Sequence, residues 1–445
     1  MNRDRMASSI ERERRRFADD HPRSRALHEE ARQSLLAGLP MPWMAMWRGG
    51  HPVYLAEAHG ARVVDVDGRE YADLCLGDTG AMAGHSPEPT MRILGEQAGI
   101  TVMLPTEDGP WVGRELTRRF GLARWQFALT ATDANRFAIR LARQLTGRTK
   151  ILVFNWCYHG SVDETFVALD GGEVIAREGN VGAPVPLAET TRVVEWNDGD
   201  ALRRELAHGD VACVLAEPAL TNIGIVLPEP GSHDALREAT RETGTLLIID
   251  ETHTICAGAG GYTAAYGLEP DVLTIGKPIA GGVPAAAYGF SAEVADRLEA
   301  LLPDDETADV GGIGGTVAAN VLSLAVTRAT LAEVLTDEAF ERMIALGERF
   351  EAGVADVIER HRLPWHVTRL GCRVEYLFRA ERPRNGSEAA AGGNPELDRL
   401  IHLYALNRGI LLTPFHNMAL MSPATTEADV DLHTRVFDEA AAELA

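Results

Sequence analysis

Four short apolar runs, separated by segments with helical periodicity, constrain the fold of this chain more than any other feature. Runs of this length without polar alternation are typical of strands that are buried on both faces. Strands that alternate with helices predict an α/β fold with a mostly parallel, doubly wound sheet. The four predicted strands are Ile151–Phe154, Val211–Ala216, Thr245–Ile249 and Val272–Ile275.

Helices are predicted between these strands. Apolar residues recur at 134, 138, 141, 142 and 145 and are followed by Gly147, which predicts a helix with a glycine cap. A second helix is predicted from Ser232, as its N-cap, to Gly244. These connections have the length that parallel strands require.

The rest of the chain predicts a division into a large domain and a smaller one. Residues 1–60 are interpreted as an exposed N-terminal helical arm and part of the small domain, and residues 61–328 as the large domain. That domain begins with a hairpin, Arg62–Asp67 and Glu70–Leu76, which turns at Gly68. Residues 329–445 are helix-rich and then βαβ-like, and we expect them to complete a small α+β domain.

Composition excludes several classes of function. The 445 residues carry a net charge of −22, which argues against nucleic acid or an anionic membrane as a partner. The five cysteines are scattered and never spaced as CxxC, so neither a disulfide framework nor a metal site is expected. The sequence has no apolar run long enough to span a bilayer and no secretory or transit signal at its N-terminus, so we expect a cytoplasmic protein.

Lysine is unusually rare in this chain. Lys150 and Lys277 are the only two, among 43 basic residues. Lys277 comes after a predicted strand, separated from it only by Gly276, whereas Lys150 comes just before a predicted strand. Since ligands of open α/β sheets bind beyond the carboxyl ends of the strands, Lys277 is the stronger candidate for chemistry.

Polar residues follow all four strands and suit pyridoxal phosphate (PLP). Lys277 can hold the aldehyde of the cofactor as a Schiff base and act as general acid/base, and Asp250 can pair with its ring nitrogen. Tyr158 offers an aromatic face. The predicted helix start at Thr130, Ala131 and Thr132 offers backbone N–H groups to the phosphate. The glycine-rich stretches 258–261 and 311–315 lack dinucleotide-binding spacing, and Asp250 and His253 have no third metal ligand.

The motifs together resemble the class III aminotransferases of PLP fold type I. Within that family they resemble the branch of glutamate-1-semialdehyde aminomutase and of amine and β-amino-acid transaminases. The resemblance covers roughly residues 30–440. It is carried by Val66–Asp73, Gly84–Pro87, Tyr158–Gly160, Glu217-Pro218, Asn222, Gly224, Ile248–Glu251, Gly276-Lys277, Gly315-Thr316 and Asn320.

The resemblance implies further roles. Thr316 corresponds to the family threonine that reaches the cofactor phosphate of the neighbouring subunit, which implies a homodimer, or a dimer of dimers, with shared active sites. Thr252 stands where the family has a valine against the ring, and Asn222 and Glu217 stand near the ring hydroxyl. The phosphate segment departs from the family pattern because Ala131 replaces a glycine.

Substrate recognition departs further from the family. Two positions where relatives that act on amino acids place an arginine hold Trp43 and His416, although Arg48 is near the first. With Met44 and Trp47, these residues predict an apolar pocket. We therefore expect an aminotransferase that takes a hydrophobic amine without an adjacent carboxylate and a keto acid such as pyruvate or 2-oxoglutarate. The alternatives are a β-amino-acid transaminase, an intramolecular aminomutase or racemase, and a catalytically silent binding subunit.

Overall fold

The computed structural model describes residues 3–182, 186–301 and 311–444, with side chains from residue 5. Their contacts form two compact units. The first comprises Met1–Pro87, Glu338–Arg382 and Gly392–Ala445, and the second comprises Glu88–Asp337 and Pro383–Ala391. The predicted large domain, 61–328, divides the chain differently and stays a prediction. Residues 1 and 2 of the predicted N-terminal helix lie outside the described residues.

The helices occur throughout the chain. They are α1 (Arg3–Asp20), α2 (Pro22–Ala31), α3 (Glu88–Glu96), α4 (Asp108–Phe120), α5 (Ala131–Thr146), α6 (Leu187–Thr190), α7 (Gly199–Leu206), α8 (Ser232–Thr243), α9 (Gly261–Tyr266), α10 (Ala292–Glu299), α11 (Val321–Glu333), α12 (Asp337–Arg360), α13 (Gly386–Ala391), α14 (Pro395–Leu406) and α15 (Glu427–Leu444). Short 3₁₀ helices span Leu36–Gly38, Pro42–Met46, Asp163–Thr165, Thr254–Ala257 and Lys277–Ala280.

The strands are short, as is usual for a sheet of this kind. They are β1 (Leu55–His59), β2 (Arg62–Asp65), β3 (Glu70–Asp73), β4 (Arg124–Ala128), β5 (Lys150–Phe154), β6 (Val167–Asp170), β7 (Glu173–Ala176), β8 (Thr191–Val194), β9 (Val211–Ala216), β10 (Leu246–Asp250), β11 (Val272–Ile275), β12 (Ala286–Phe290), β13 (His366–Leu370), β14 (Arg373–Leu377), β15 (Ile410–Leu411) and β16 (Met418–Leu420).

The second unit is built on a seven-stranded sheet in the order β4-β12-β11-β10-β9-β5-β8. Strands β8, β5, β9, β10 and β11 are parallel, and β12 is antiparallel to both of its neighbours. All residues of β9 and β10 are buried, because this sheet is covered on both faces at its centre. The predicted α/β fold with a mostly parallel sheet is confirmed.

The predicted helices of this unit are also found, with one correction. Helix α5 ends at Gly147 and α8 at Gly244, both with left-handed backbone, as glycine caps require. Ser232 is not the N-cap of α8. Gly231 holds that position, and the Ser232 hydroxyl donates to Asn197 Oδ1 at 2.8 Å.

The first unit contains two smaller sheets. One has the order β1-β2-β3-β15, and its antiparallel β2–β3 pair is the predicted hairpin. The other has the order β13-β14-β16 with both pairs antiparallel. The βαβ-like interpretation of the C-terminal part is therefore wrong, since β13, β14 and β16 pair as an antiparallel set and β15 joins the other sheet, parallel to β3.

The N-terminal arm is helical but not fully exposed. Phe17 of α1 is completely buried. Glu13 of the same helix is 1% exposed, and its carboxylate accepts hydrogen bonds from Asn407 Nδ2 at 2.9 Å and from Arg408 Nη1 at 3.1 Å. The arm thus packs into the first unit through one face. Among the helices that the structure describes, none has the length and apolar character needed to cross a membrane.

Candidate active site

Parallel strands bring the predicted residues to one edge of the seven-stranded sheet. Tyr158 follows β5, Glu217 follows β9, Asp250 is the last residue of β10, and Lys277 follows β11. Asp250 pairs in register with Thr274, three residues before Lys277. Their shared location follows from the parallel order of β5, β9, β10 and β11, whose carboxyl ends lie on the same side.

Asp250 is the centre of a buried hydrogen-bond network. Its Oδ2 atom accepts from His159 Nδ1 at 2.9 Å and from Asn135 Nδ2 at 2.8 Å, and its Oδ1 atom accepts from the Thr252 backbone N–H at 3.0 Å. Asn135 is oriented in turn by Thr274, whose hydroxyl donates to Asn135 Oδ1 at 2.6 Å. The carboxylate is thus fixed in position by donors from three elements.

These donors decide the charge of the network. Burial alone raises the pKa of Asp250, but the hydrogen bond and the positive charge of His159 outweigh it and lower that pKa to about 2. Burial alone lowers the pKa of His159, but its interactions with Cys157 and its hydrogen bond to the Asp250 carboxylate raise it to about 10. At neutral pH, Asp250 is a carboxylate and His159 is an imidazolium ion.

Lys277 is held by an unusual backbone. Its φ of +51° lies in the left-handed region, which costs a non-glycine residue on the order of 1 kcal/mol or more. Gly276 precedes it, and a Cβ atom there would lie 3.2 Å from the Ala131 nitrogen. Lys277 Nζ lies 2.8 Å from His253 Nε2. The other lysine, Lys150, begins β5, and its Nζ donates to the Ala188 carbonyl at 3.0 Å.

The N-terminus of α5 lies beside this lysine turn. Thr130 is the N-cap, and its hydroxyl oxygen accepts from the Asp133 N–H at 3.2 Å. Thr132 Oγ1 accepts from the Ser161 N–H at 3.0 Å. A Cβ atom on Gly160, whose φ is +75°, would lie 2.1 Å from Thr132 Oγ1, so this close approach requires glycine. The first N–H groups of a helix have no acceptor within it and can bind an anion.

Glu217 and Asn222 hold the backbone around Tyr158. Glu217 Oε1 accepts from the Tyr158 N–H at 3.2 Å, and Asn222 Nδ2 donates to the Trp156 carbonyl at 3.2 Å. Burial raises the pKa of Glu217. Tyr158 itself is partly exposed, as an aromatic ring must be to contact a ligand.

Thr252 and Thr316 differ in exposure. Thr252 is 5% exposed, and its hydroxyl has no hydrogen-bond partner within the described residues. Thr316 is exposed at the surface of the second unit. The structure thus places every predicted cofactor residue in the second unit, and all except Thr316 belong to or adjoin the sheet edge and α5.

The predicted substrate residues all belong to the first unit. Trp43 and Met44 lie in the 3₁₀ helix Pro42–Met46 and are 43% and 40% exposed. The Trp43 ring packs edge-on against Phe415, with 5.7 Å between centroids. Trp47 is half-buried. His416 is buried, and its Nδ1 atom lies 3.1 Å from Glu375 Oε1, so this histidine already has an acidic partner.

Arg48 adds a half-buried cation to the same unit. Its Nε atom has no hydrogen-bond partner within the described residues. Burial lowers the pKa of Arg48, an effect that the negative charge of Asp398 opposes. Burial in turn raises the pKa of Asp398, which accepts from Asn417 Nδ2 at 2.9 Å.

Residues 44–439, most of the chain, match the aminotransferase class-III family. The chain belongs to that family. The predicted membership is confirmed, and with it the prediction of a PLP-dependent enzyme.

Relatives of this class-III chain include aminomutases and transaminases. Glutamate-1-semialdehyde 2,1-aminomutase 1 of Bacillus cereus (strain G9842) is 32% identical over 92% of this chain and 96% of its own length. A glutamate-1-semialdehyde-aminomutase from Pseudomonas aeruginosa PAO1 is 51% identical with a TM-score of 0.98, and each chain is covered completely. An omega-transaminase from Sphaerobacter thermophilus is 28% identical with a TM-score of 0.83, over 94% of this chain and 97% of that one.

The class-III site fits the cofactor on observations of its own. The carboxylate of Asp250 stays ionised in a buried position, which suits a protonated ring nitrogen. The turn at Gly276 brings the Lys277 backbone close to the N-terminus of α5. One small molecule could therefore place its aldehyde at the lysine and its phosphate at the helix start. Ala131 leaves the N–H groups of the helix start in place, so the loss of the family glycine does not remove donors that could bind a phosphate.

Sequence reasoning missed Asn135, Thr274 and the pairing role of His159. Asn135 lies on α5 beside apolar residues that recur with helical spacing, and a polar residue on a buried helix face signals a specific partner. His159 follows Tyr158 directly, within a segment that the resemblance had singled out. Thr274 carried no signal, because one threonine in a buried strand is unremarkable in sequence.

Proposed function

We propose that this class-III enzyme moves an amino group between neighbouring carbons of one small amino-aldehyde of the glutamate-1-semialdehyde type. The similarity to the Pseudomonas aeruginosa aminomutase, at 51% identity over both complete chains, carries this proposal. The reaction is an isomerisation: the amine at carbon 2 becomes a ketone, the aldehyde at carbon 1 becomes an amine, and no atom is gained or lost.

Lys277 and Asp250 have the central roles in the proposal. Bound PLP supplies an aldehyde that holds the amino group and a ring that withdraws electrons. Lys277 Nζ holds the cofactor between turnovers and then accepts and returns the proton that moves between the two carbons. Asp250 stays anionic and stabilises a proton on the ring nitrogen, while His159 and Asn135 keep its carboxylate oriented.

The remaining predicted residues bind the cofactor. Tyr158 and Thr252 are proposed to contact the two faces of the ring. Thr130, Ala131 and Thr132 are proposed to hold the phosphate through the helix start, where N–H groups and the helix dipole favour an anion. Glu217 and Asn222 act indirectly, since they fix the backbone that carries Tyr158.

Trp43 and His416 stand where relatives that act on amino acids have an arginine. The absence of arginine at these two positions agrees with the chemistry of the proposed substrate. Glutamate-1-semialdehyde has an aldehyde where glutamate has the carboxylate next to its amine, so no arginine is needed there. Its remaining carboxylate is at the far end of the molecule and needs a cation, because an unpaired buried carboxylate is costly. Arg48, half-buried and with an unpaired Nε among the described residues, is the proposed partner.

A second candidate is amino transfer between separate molecules, from a hydrophobic amine to pyruvate or 2-oxoglutarate. The exposed Trp43 and Met44, with Phe415 against Trp43, favour an apolar donor. Similarity to the Sphaerobacter omega-transaminase also supports this candidate.

One experiment separates the candidates. The holoenzyme is given glutamate-1-semialdehyde that carries nitrogen-15, without any keto acid or second amine. Conversion to the isomer with the label retained in the same carbon skeleton supports the proposal. Turnover only when an amine and pyruvate or 2-oxoglutarate are both added would overturn it in favour of transamination. Failure with both substrate sets would favour the silent binding subunit.

We also propose that the active enzyme is a homodimer with shared sites. In the second unit, Thr316 is exposed, and so is a group of large apolar residues, of which Met103 is 85% and Leu104 is 68% exposed. Such groups are typical of subunit interfaces. We expect Thr316→Ala to weaken retention of PLP without changing the substrate preference. A fully active monomer in sedimentation would contradict this proposal.

A further inference from the structure

The contact between Lys277 and His253 has no role in the chemistry described above. His253 is the third residue after Asp250, and it lies in the turn that connects β10 to the 3₁₀ helix Thr254–Ala257. Lys277 follows β11, the parallel neighbour of β10. The two turns therefore lie side by side, and they bring Lys277 Nζ to 2.8 Å from His253 Nε2.

Both residues are constrained to meet. His253 is 8% exposed, so its ring has little freedom to leave the sheet edge. The left-handed backbone of Lys277, at a φ of +51°, sets the direction in which its side chain starts. A strained backbone persists only where its surroundings determine it, and such strain is concentrated at functional sites.

We infer that His253 is a positioning residue that shares a proton with the Lys277 amine. This inference rests on the proposed role of Lys277. When Lys277 is an ammonium ion, the neutral Nε2 of His253 accepts its hydrogen bond and holds Nζ at the sheet edge. A hydrogen bond that stabilises the ammonium form reduces the fraction of Lys277 that is a neutral, nucleophilic amine.

The scarcity of lysine makes a direct test possible. Cofactor-free protein is treated with a trace of acetylating reagent at pH 8, and peptides carrying Lys277 and Lys150 are quantified by mass spectrometry. Only a neutral amine reacts. Lys150 lies at the start of β5, the opposite end of that strand from Tyr158, and serves as the internal reference in the same molecule.

Two variants of nearly equal size separate hydrogen bonding from space filling. His253→Met removes the acceptor, and His253→Gln retains one. A hydrogen bond to a charged group contributes roughly 1.5–3 kcal/mol, so we expect the Lys277/Lys150 labelling ratio to rise on the order of tenfold in His253→Met. In His253→Gln it should stay close to wild type. Equal ratios in the two variants, or no change in His253→Met, would overturn the inference.

A second readout uses the loaded enzyme without substrate. We expect the pH at which the visible absorbance of bound cofactor changes to move in His253→Met and to return toward wild type in His253→Gln. Failure of the proposed role of Lys277 is distinguishable, because borohydride would then fix the cofactor on Lys150 or on neither lysine. Fixation on Lys277 together with an unchanged labelling ratio would refute the role of His253 alone.

Discussion

Two buried histidines, one in each compact unit, differ in charge at neutral pH: His159 is protonated and His402 is neutral. His159 in the second unit has its pKa raised to about 10, although burial alone lowers it, because Cys157 and the Asp250 carboxylate favour the charged ring. Burial, together with the Arg48 guanidinium, lowers the pKa of His402 in the first unit to about 3. The comparison teaches that burial alone keeps an imidazole neutral, and that a hydrogen-bonded carboxylate is needed to reverse this.

The surroundings of Asp250, which pairs with His159, and of Arg48, which acts on His402, also differ in the elements that form them. The Asp250 network joins α5 and β11 to the segments that follow β5 and β10, so each donor is carried by regular structure or by a segment that follows a strand. The surroundings of Arg48 come from the segment after a 3₁₀ helix, from α14 and from the segment before β16. The first arrangement suits a cofactor that every turnover reuses. The second depends largely on segments outside regular structure, where binding residues often lie.

The largest expected effect tests the chemistry that we assign to the second unit. Lys277→Ala removes both the anchoring amine and the proton carrier, so kcat should fall on the order of 10⁴-fold or more. Borohydride should fix PLP on Lys277 of the wild type, as peptide mapping would show, and on neither lysine of the variant. The control Lys150→Ala should keep its activity and its label. A label on Lys150 would refute the central assignment.

The next effect tests the charge within the Asp250 network. Asp250→Asn keeps the shape but removes the charge that stabilises a protonated ring, and we expect kcat to fall on the order of 10²- to 10³-fold. Glu251→Gln is the matched control. Glu251 is the adjacent buried carboxylate, and its Oε2 accepts from Thr254 Oγ1 at 2.5 Å and from the Tyr262 N–H at 3.1 Å. That variant should lose stability but keep kcat close to wild type. Equal losses of kcat would mean that the acid is wrongly assigned.

These differences in construction explain what the sequence could predict. Asp250 and Lys277 were predictable because each follows a recognisable apolar strand, and parallel strands must end on one side of a sheet. Asn135 was not predictable, because its hydrogen bond to Asp250 depends on how α5 packs against the sheet. The buried face of α1 was also missed, since Glu13 is satisfied by residues nearly 400 positions away, Asn407 and Arg408.

Substrate recognition was the least predictable part. Trp43 and His416 were aligned with family positions, but their surroundings depend on irregular segments that have no periodic signal. The pairing of His416 with Glu375 is a contact between separate parts of the chain. Family comparison then favoured the aminomutase alternative over the hydrophobic-amine donor that we expected first.

A smaller effect tests the role of the first unit. Arg48→Met should raise KM for glutamate-1-semialdehyde roughly tenfold to a hundredfold, the effect of losing a charge-assisted hydrogen bond, with a smaller change in kcat. Arg48→Lys keeps the charge and should recover part of the loss. A substrate analogue with an amide in place of the far carboxylate should show little difference among the three proteins. An unchanged KM in Arg48→Met would exclude this arginine as the carboxylate partner.

The smallest expected effect is on stability, and it returns to the two histidines. The raised pKa of His159 stabilises the folded state fully below its unfolded value of 6.5, and this contribution is lost as pH rises toward about 10. The lowered pKa of His402 acts in the other direction, because the unfolded chain binds a proton that the folded chain excludes. Stability is therefore lost as pH falls from 6.5 toward about 3. Each pKa unit corresponds to about 1.4 kcal/mol.

Glutamine variants of the cofactor-free protein separate the two contributions, since glutamine does not titrate. Thermal unfolding is followed from pH 4 to pH 10. His159→Gln should be less stable than wild type by the largest margin below pH 6.5, and the margin should shrink by a few degrees in Tm toward pH 10. His402→Gln should lose less stability than wild type between pH 6.5 and pH 4. Parallel pH profiles for both variants would mean that the Asp250 carboxylate does not keep His159 charged and that burial does not keep His402 neutral.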